Sequence, residues 1–170
     1  METIKAIKTR RSIRKFKNSP VSDAQIKVLL ESAMQAPSAG DGRPWHFVVI
    51  RDRQKLNALA DKVDGGNAMF REAQAAILIV AEPDVEGFPG FYPQDCSCAA
   101  QNLQLAAHDL GLGTVWIALW SVKPRLDGLK AIIPIPEKFK PFAIFPIGMP
   151  DEDLGEDYRY DENKIHYDEW

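Results

Sequence analysis

Ala75-Ala76-Ile77-Leu78-Ile79-Val80-Ala81 is the stretch on which the fold turns. Seven consecutive apolar residues are too few to cross a membrane and lack the polar alternation of a half-exposed strand. They read as a central strand covered on both faces. Such a strand needs partners on its edges and helices over its faces, and the chain supplies both. Apolar runs at 47–50, 114–119 and 142–148 read as strands. Ser22 with Gln25 three residues on is a capping-box pattern, followed by Ile26, Leu29, Leu30 and Ala33 at helical spacing until Pro37 stops the helix. Asp52 reads as the N-cap of a helix carrying Leu56, Leu59, Ala60 and Val63 on one face, ended by Gly65-Gly66-Asn67. The longest helix, 94–110, has an apolar stripe of Ala99, Leu103, Ala106, Ala107 and Leu110, small enough for another helix to approach closely. Residues 2–9 and 122–130 read as short helices, and 132–141 as a proline-punctuated connection. The segment 82–93, with three prolines, two glycines and three aromatics, reads as a loop long enough to face a substrate. Strands separated by helices make the chain α/β-type or α+β.

With 170 residues, 45% of them hydrophobic, the chain is expected to form one domain over 1–170. A formal charge of −3 argues against a dedicated nucleic-acid binder. No apolar run approaches a membrane span and the N-terminus has no apolar signal core, so a soluble cytoplasmic protein without a membrane partner is expected. Cys96 and Cys98, one residue apart on a helix, point to different sides and are expected to be reduced thiols. Together with His108 and His166 they lack the paired spacings of a zinc site, and no metal is expected.

Charge is distributed unevenly. Residues 1–17 hold seven of the 21 Lys and Arg but one of the 24 Asp and Glu. The segment Arg10-Arg11-Ser12-Ile13-Arg14-Lys15-Phe16 therefore puts three guanidiniums and a hydroxyl in an otherwise acidic chain. That suits one discrete anion, held by bidentate, charge-assisted hydrogen bonds. A second segment, Ala36-Pro37-Ser38-Ala39-Gly40-Asp41-Gly42-Arg43-Pro44-Trp45, is a loop of small residues that lets backbone approach a flat ring. Gly111-Leu112-Gly113-Thr114 follows a helix and precedes a strand, the reverse of a dinucleotide-binding turn; Gly111 reads as a helix C-cap. The acidic tail 155–170 carries Tyr158, Tyr160, Ile165, Tyr167 and Trp170, too many apolar groups for a solvating tail, so it is expected to dock.

These segments, with Gly66-Asn67, Leu110-Gly111-Leu112-Gly113, Val115-Trp116-Ile117, Ile147-Gly148, Arg159-Tyr160-Asp161-Glu162, Ile165-His166-Tyr167 and Trp170 in that order, resemble the FMN-dependent nitroreductase family over nearly the whole chain. The resemblance implies an α+β fold, three-layer and α/β/α-like, with a mixed sheet flanked by helices. It also implies an intertwined homodimer in which residues 155–170 dock on the partner and two FMN sites lie at the interface. By matching position, Arg10, Arg11, Ser12 and Arg14 hold the phosphate and reach toward the pyrimidine edge, and Arg159 completes the phosphate site. Pro37, Ser38 and Ala39, with Asp41 in the same loop, approach from the other subunit. Asn67 bonds the pyrimidine edge, and the strand end at Ala118 and Leu119 faces flavin N5. No side chain is implied as catalytic: flavin N5 carries hydride from NADH or NADPH to a small nitroaromatic, quinone or related electron-poor acceptor, in ping-pong order. Asp41 and Arg43 stand where relatives often have Asn and Gln, and could pair with each other. A flavin carrier or redox sensor without turnover is the alternative, and an anion-binding module without flavin a third reading.

Overall fold

The computed structural model describes residues 2–63, 68–155 and 157–170, and in them β3 (Ala75–Ala81) has all seven of its residues buried. It pairs antiparallel on one side with β2 (Trp45–Ile50) and on the other with β6 (Lys140–Pro150). The eleven-residue β6 is the hub. It also pairs with β1 (Phe16–Lys17), β4 (Gly113–Thr114) and β5 (Ile117–Ala118), every pairing among the described residues being antiparallel. The resemblance implies a mixed sheet; within this chain the sheet is antiparallel throughout the described pairings.

The single strand read over 114–119 is two short ones. Thr114 pairs with Ile147 and Ile117 with Ile144, and between them stands Pro146, which has no N–H to offer a neighbour. Val115 and Trp116 therefore leave the ladder.

Alternate residues of β3 face opposite layers. Ala75, Ile77, Ile79 and Ala81 pack with Phe145 against α2 (Asp23–Met34) and α5 (Tyr92–Asp109). Ala76, Leu78 and Val80 pack with Ile144 against α3 (Arg53–Lys62), α4 (Met69–Glu72) and α6 (Lys123–Lys130). Each fully buried Leu, Ile or Phe adds about 1.5–3 kcal/mol, so the two layers rather than local propensity hold the sheet.

Local signals are met at the residues that carry them. The Ser22 hydroxyl accepts from Gln25 N–H at 3.1 Å while the Gln25 side chain accepts from Ser22 N–H at 2.9 Å. The Asp52 carboxylate accepts from Lys55 N–H at 2.8 Å. Gly111 ends α5 with φ of 73°. The helix stop at Gly65-Gly66-Asn67 lies outside the described residues, and with it Asn67 as a site residue. α1 (Thr3–Thr9) leads into the arginine segment. In the tail one 3₁₀ turn, Glu162–Lys164, is formed, and Tyr158, Tyr167 and Trp170 are 85%, 82% and 100% exposed on this chain. No helix among the described residues is long and apolar enough to cross a membrane.

Candidate functional site

α1 closes with Arg10 N–H donating to the Ala6 carbonyl, after which the chain turns extended. It then runs beside β4, Ile13 N–H donating to the Thr114 carbonyl at 3.0 Å, and beside the end of β6, where Asp151 N–H reaches the Lys15 carbonyl. The approach is tight enough to explain Gly113: a Cβ there would lie 2.6 Å from an Ile13 methyl. In this fold Gly113 makes room for the arginine segment and Gly111 ends α5, so the Gly-Leu-Gly is not a nucleotide turn.

Residues far apart in the chain converge at this place. Arg10, Arg11 and Arg159 line one cavity of about 650 Å³ between α1 and the start of the tail. Arg11 Nη1 donates to the carbonyls of Leu154 and Gly155, and Arg159 Nε donates to Asp157 at 2.6 Å. Arg10 is half-buried, and its Nη1 is buried with no hydrogen-bond partner among the described residues. Burial, then the charges of Arg159 and Arg11, push the Arg10 guanidinium below its ordinary value. A buried donor without a partner among the described residues, set among like charges, is what a phosphate monoester would satisfy, so the donor set fits such a group. Arg14 folds back instead, Nη1 donating to the Ser12 carbonyl at 3.2 Å, and both residues lie on the extended stretch beyond the cavity lining.

Behind the arginines, Thr9 Oγ1 donates to the Lys5 carbonyl and lies 2.8 Å from His108 Nε2 near the end of α5. Burial and the charge of Arg10 push His108 below its ordinary value, with Asp109 opposing.

The second predicted segment sits elsewhere. Ala39 N–H donates to the Asp95 carboxylate at 2.9 Å, close to the start of α5. Asp95 and His108 are thirteen residues apart on one helix, or about 20 Å at 1.5 Å per residue. A single chain thus attaches the two halves of the predicted site near opposite ends of α5. In the loop, Ser38 Oγ accepts from Arg43 N–H, and Arg43 forks onto Asp41 at 2.7 and 2.8 Å, the pairing the sequence suggests. Asp41 raises Arg43 above its ordinary value, first by that hydrogen bond and then by charge. Both residues are exposed and hold positive φ, 56° and 48°.

Ala118 lines another cavity, of about 680 Å³, with Trp116, Trp120 and Phe142 and with Pro93 and Gln94 of α5. Trp116 meets Phe142 edge-on at 5.5 Å and Phe145 at 5.4 Å. It is an apolar slot with an amide at its rim, suited to a flat ring. Leu119 is fully buried and gives its N–H to the Phe142 carbonyl, so of the predicted pair Ala118 is the one on the cavity. Sequence reasoning gave Trp116 only as part of the Val115-Trp116-Ile117 segment and did not single out Trp120, Phe142 or Asp95; two tryptophans flanking Ala118 were the available signal. No cluster of His, Cys, Asp and Glu among the described residues could hold a metal.

The model of the Nitroreductase family matches residues 7–68 and 58–149. A protein of Methanothermobacter thermautotrophicus, provisionally named NADH dehydrogenase/NAD(P)H nitroreductase, is 42% identical over 170 residues, covering 100% of this chain and 88% of its own. A structure named FMN-dependent nitroreductase from Clostridium difficile is 31% identical with a TM-score of 0.89, covering 98% of this chain and 99% of its own. A provisionally named nitroreductase of Desulfovibrio desulfuricans, solved in complex with FMN, is 28% identical with a TM-score of 0.87 over 100% of this chain and 98% of its own.

Proposed function

The chain belongs to the nitroreductase family and is an oxidoreductase, and from that premise we propose that it works as a homodimer holding FMN, reducing nitroaromatics, quinones or related electron-poor acceptors with NADH or NADPH. The observation that carries the reading is the buried Arg10 Nη1, without a hydrogen-bond partner among the described residues and flanked by Arg11 and Arg159. Arg10, Arg11 and Arg159 hold the phosphate, with Ser12 and Arg14 on the adjoining extended stretch. Arg10 keeps its charge although its pKa is lowered, because an arginine has far to fall before it is neutral.

From Thr114, which Ile13 touches, to Ala118 is four residues, a span of at most about 13 Å, which suits a flavin laid along β4 and β5 toward the Trp116 cavity. Pro37, Ser38, Ala39 and Asp41 serve the partner subunit's site, because α5 separates them from their own arginines. Asn67 is assigned to the pyrimidine edge by resemblance. The tail 155–170, whose aromatics are exposed on its own chain, docks on the partner. When bound, FMN supplies the hydride acceptor and donor, which is why no acid–base pair is needed. The protein orients donor and acceptor in turn and, at the apolar Trp116–Phe142 wall, excludes water.

An absorption spectrum with anaerobic NADH and NADPH titration tests the proposal. The purified protein should be yellow and bleach with one of them, scatter light at twice the 19.1 kDa chain mass, and give parallel double-reciprocal plots. A yellow protein that neither nucleotide bleaches is a carrier or sensor, and a colourless one that binds no flavin overturns the assignment.

A further inference from the structure

We propose that Asp95 is the positioning residue of this site: it anchors the 37–43 loop to α5 and so sets where that loop meets the partner's flavin and pyridine nucleotide. The inference rests on the reading above that this loop serves the partner's site. Asp95 is 4% exposed, one of three buried polar residues among the described residues, in a core otherwise apolar. One oxygen, Oδ1, accepts from Ala39 N–H at 2.9 Å; the other, Oδ2, is buried with no partner among the described residues. A buried carboxyl oxygen left without a partner is unfavourable for folding, so stability alone is a poor reason to keep an aspartate there. What it provides is a short, charged tether from the first turns of a rigid 18-residue helix to a loop with no strand of its own.

The surroundings make the tether consequential. The 37–43 loop is interlocked with residues 85–88, leaving no room for side chains where the two cross. A Cβ on Gly87 would lie 2.0 Å from the Ala39 carbonyl oxygen, and one on Gly42 would lie 2.3 Å from Gly87 N. Residues 86–92 are tied to the same helix start, Glu86 accepting from Gly90 N–H at 2.7 Å and from Tyr92 N–H at 2.9 Å. Two carboxylates thus hold two interlocked loops at one end of α5, and the ring cavity lined by Pro93 and Gln94 opens beside them. Releasing Ala39 frees the loop that faces the partner without touching the phosphate arginines.

Asp95→Ala and Asp95→Asn are compared with wild type, using FMN titration of the apo-protein and steady-state kinetics at saturating FMN. Asp95→Asn keeps an oxygen for Ala39 N–H and should bind FMN within about threefold of wild type, whereas Asp95→Ala should weaken it about tenfold, the size of one charge-assisted hydrogen bond. At saturating FMN, Asp95→Ala should raise KM for the nucleotide while changing kcat less than about twofold. Should Asp95→Ala fail to fold, Ala39→Pro removes the donor from the other side. Ser38, at φ −141° and ψ 151°, already has the backbone that precedes proline, and the same FMN and KM changes are expected. Unchanged FMN affinity and KM in Asp95→Ala or Ala39→Pro, or an equal loss in Asp95→Asn and Asp95→Ala, overturns the proposal. A wild-type protein that binds no FMN instead overturns the functional reading on which it rests.

Discussion

Arg10→Met separates binding from folding. Methionine keeps an unbranched stem but removes the charge and the buried Nη1 that has no partner among the described residues. In the apo-protein that donor is a liability: a buried, unsatisfied polar group costs about 1–3 kcal/mol, and a half-buried, partly screened side chain belongs at the low end. Relief of the repulsion from Arg159 and Arg11 acts in the same direction. The apo-protein should therefore gain up to about 1 kcal/mol of stability in urea unfolding. FMN binding should move the other way, since a lost charge-assisted contact of about 1.5–3 kcal/mol is about a ten- to hundredfold rise in Kd. Riboflavin, which has no phosphate, should be weakened far less. Fluorescence titration of apo-protein with both flavins reads the binding arm. Undiminished FMN affinity, or equal losses for FMN and riboflavin, would refute the assignment of Arg10 to a phosphate.

His108, held below its ordinary value, binds its proton later than the unfolded chain does as pH falls, so stability should decline as pH drops through the ordinary value of 6.5 and level off below the folded one. His108→Gln should flatten that slope in urea unfolding between about pH 7 and 5, and in wild type inorganic phosphate bound at Arg10 should raise the His108 value read by NMR. Burial and then the charge of Asp95 push the Cys96 thiol up to about 12, so native protein at pH 8 should leave Cys96 unalkylated by iodoacetamide, and urea should expose it. Gly87→Ala, whose Cβ would collide with the Ala39 carbonyl, should lower the thermal midpoint and impair the nucleotide KM; an unaffected KM would mean that the two loops are not one unit.

Much of the fold is legible locally. The capping box at Ser22, the Asp52 cap and the Gly111 end of α5 depend on atoms a few residues apart, and the apolar run 75–81 declares its burial by having no polar face. The arginine segment was legible as a local concentration of positive charge because charge asymmetry survives without coordinates. What tertiary structure decided is where pairs distant in sequence meet. Pro146 of β6 parts a strand thirty residues earlier, because a missing N–H matters only to the neighbour that would have received it. Arg159 reaches Arg10 across 149 residues of chain, and Ala39 reaches Asp95 across 56. Neither encounter has a period or a spacing. Each is set by how the sheet and α5 place their ends: α5 holds the small-residue loop through Asp95 and meets Thr9, beside the arginines, through His108, about 20 Å further along its axis.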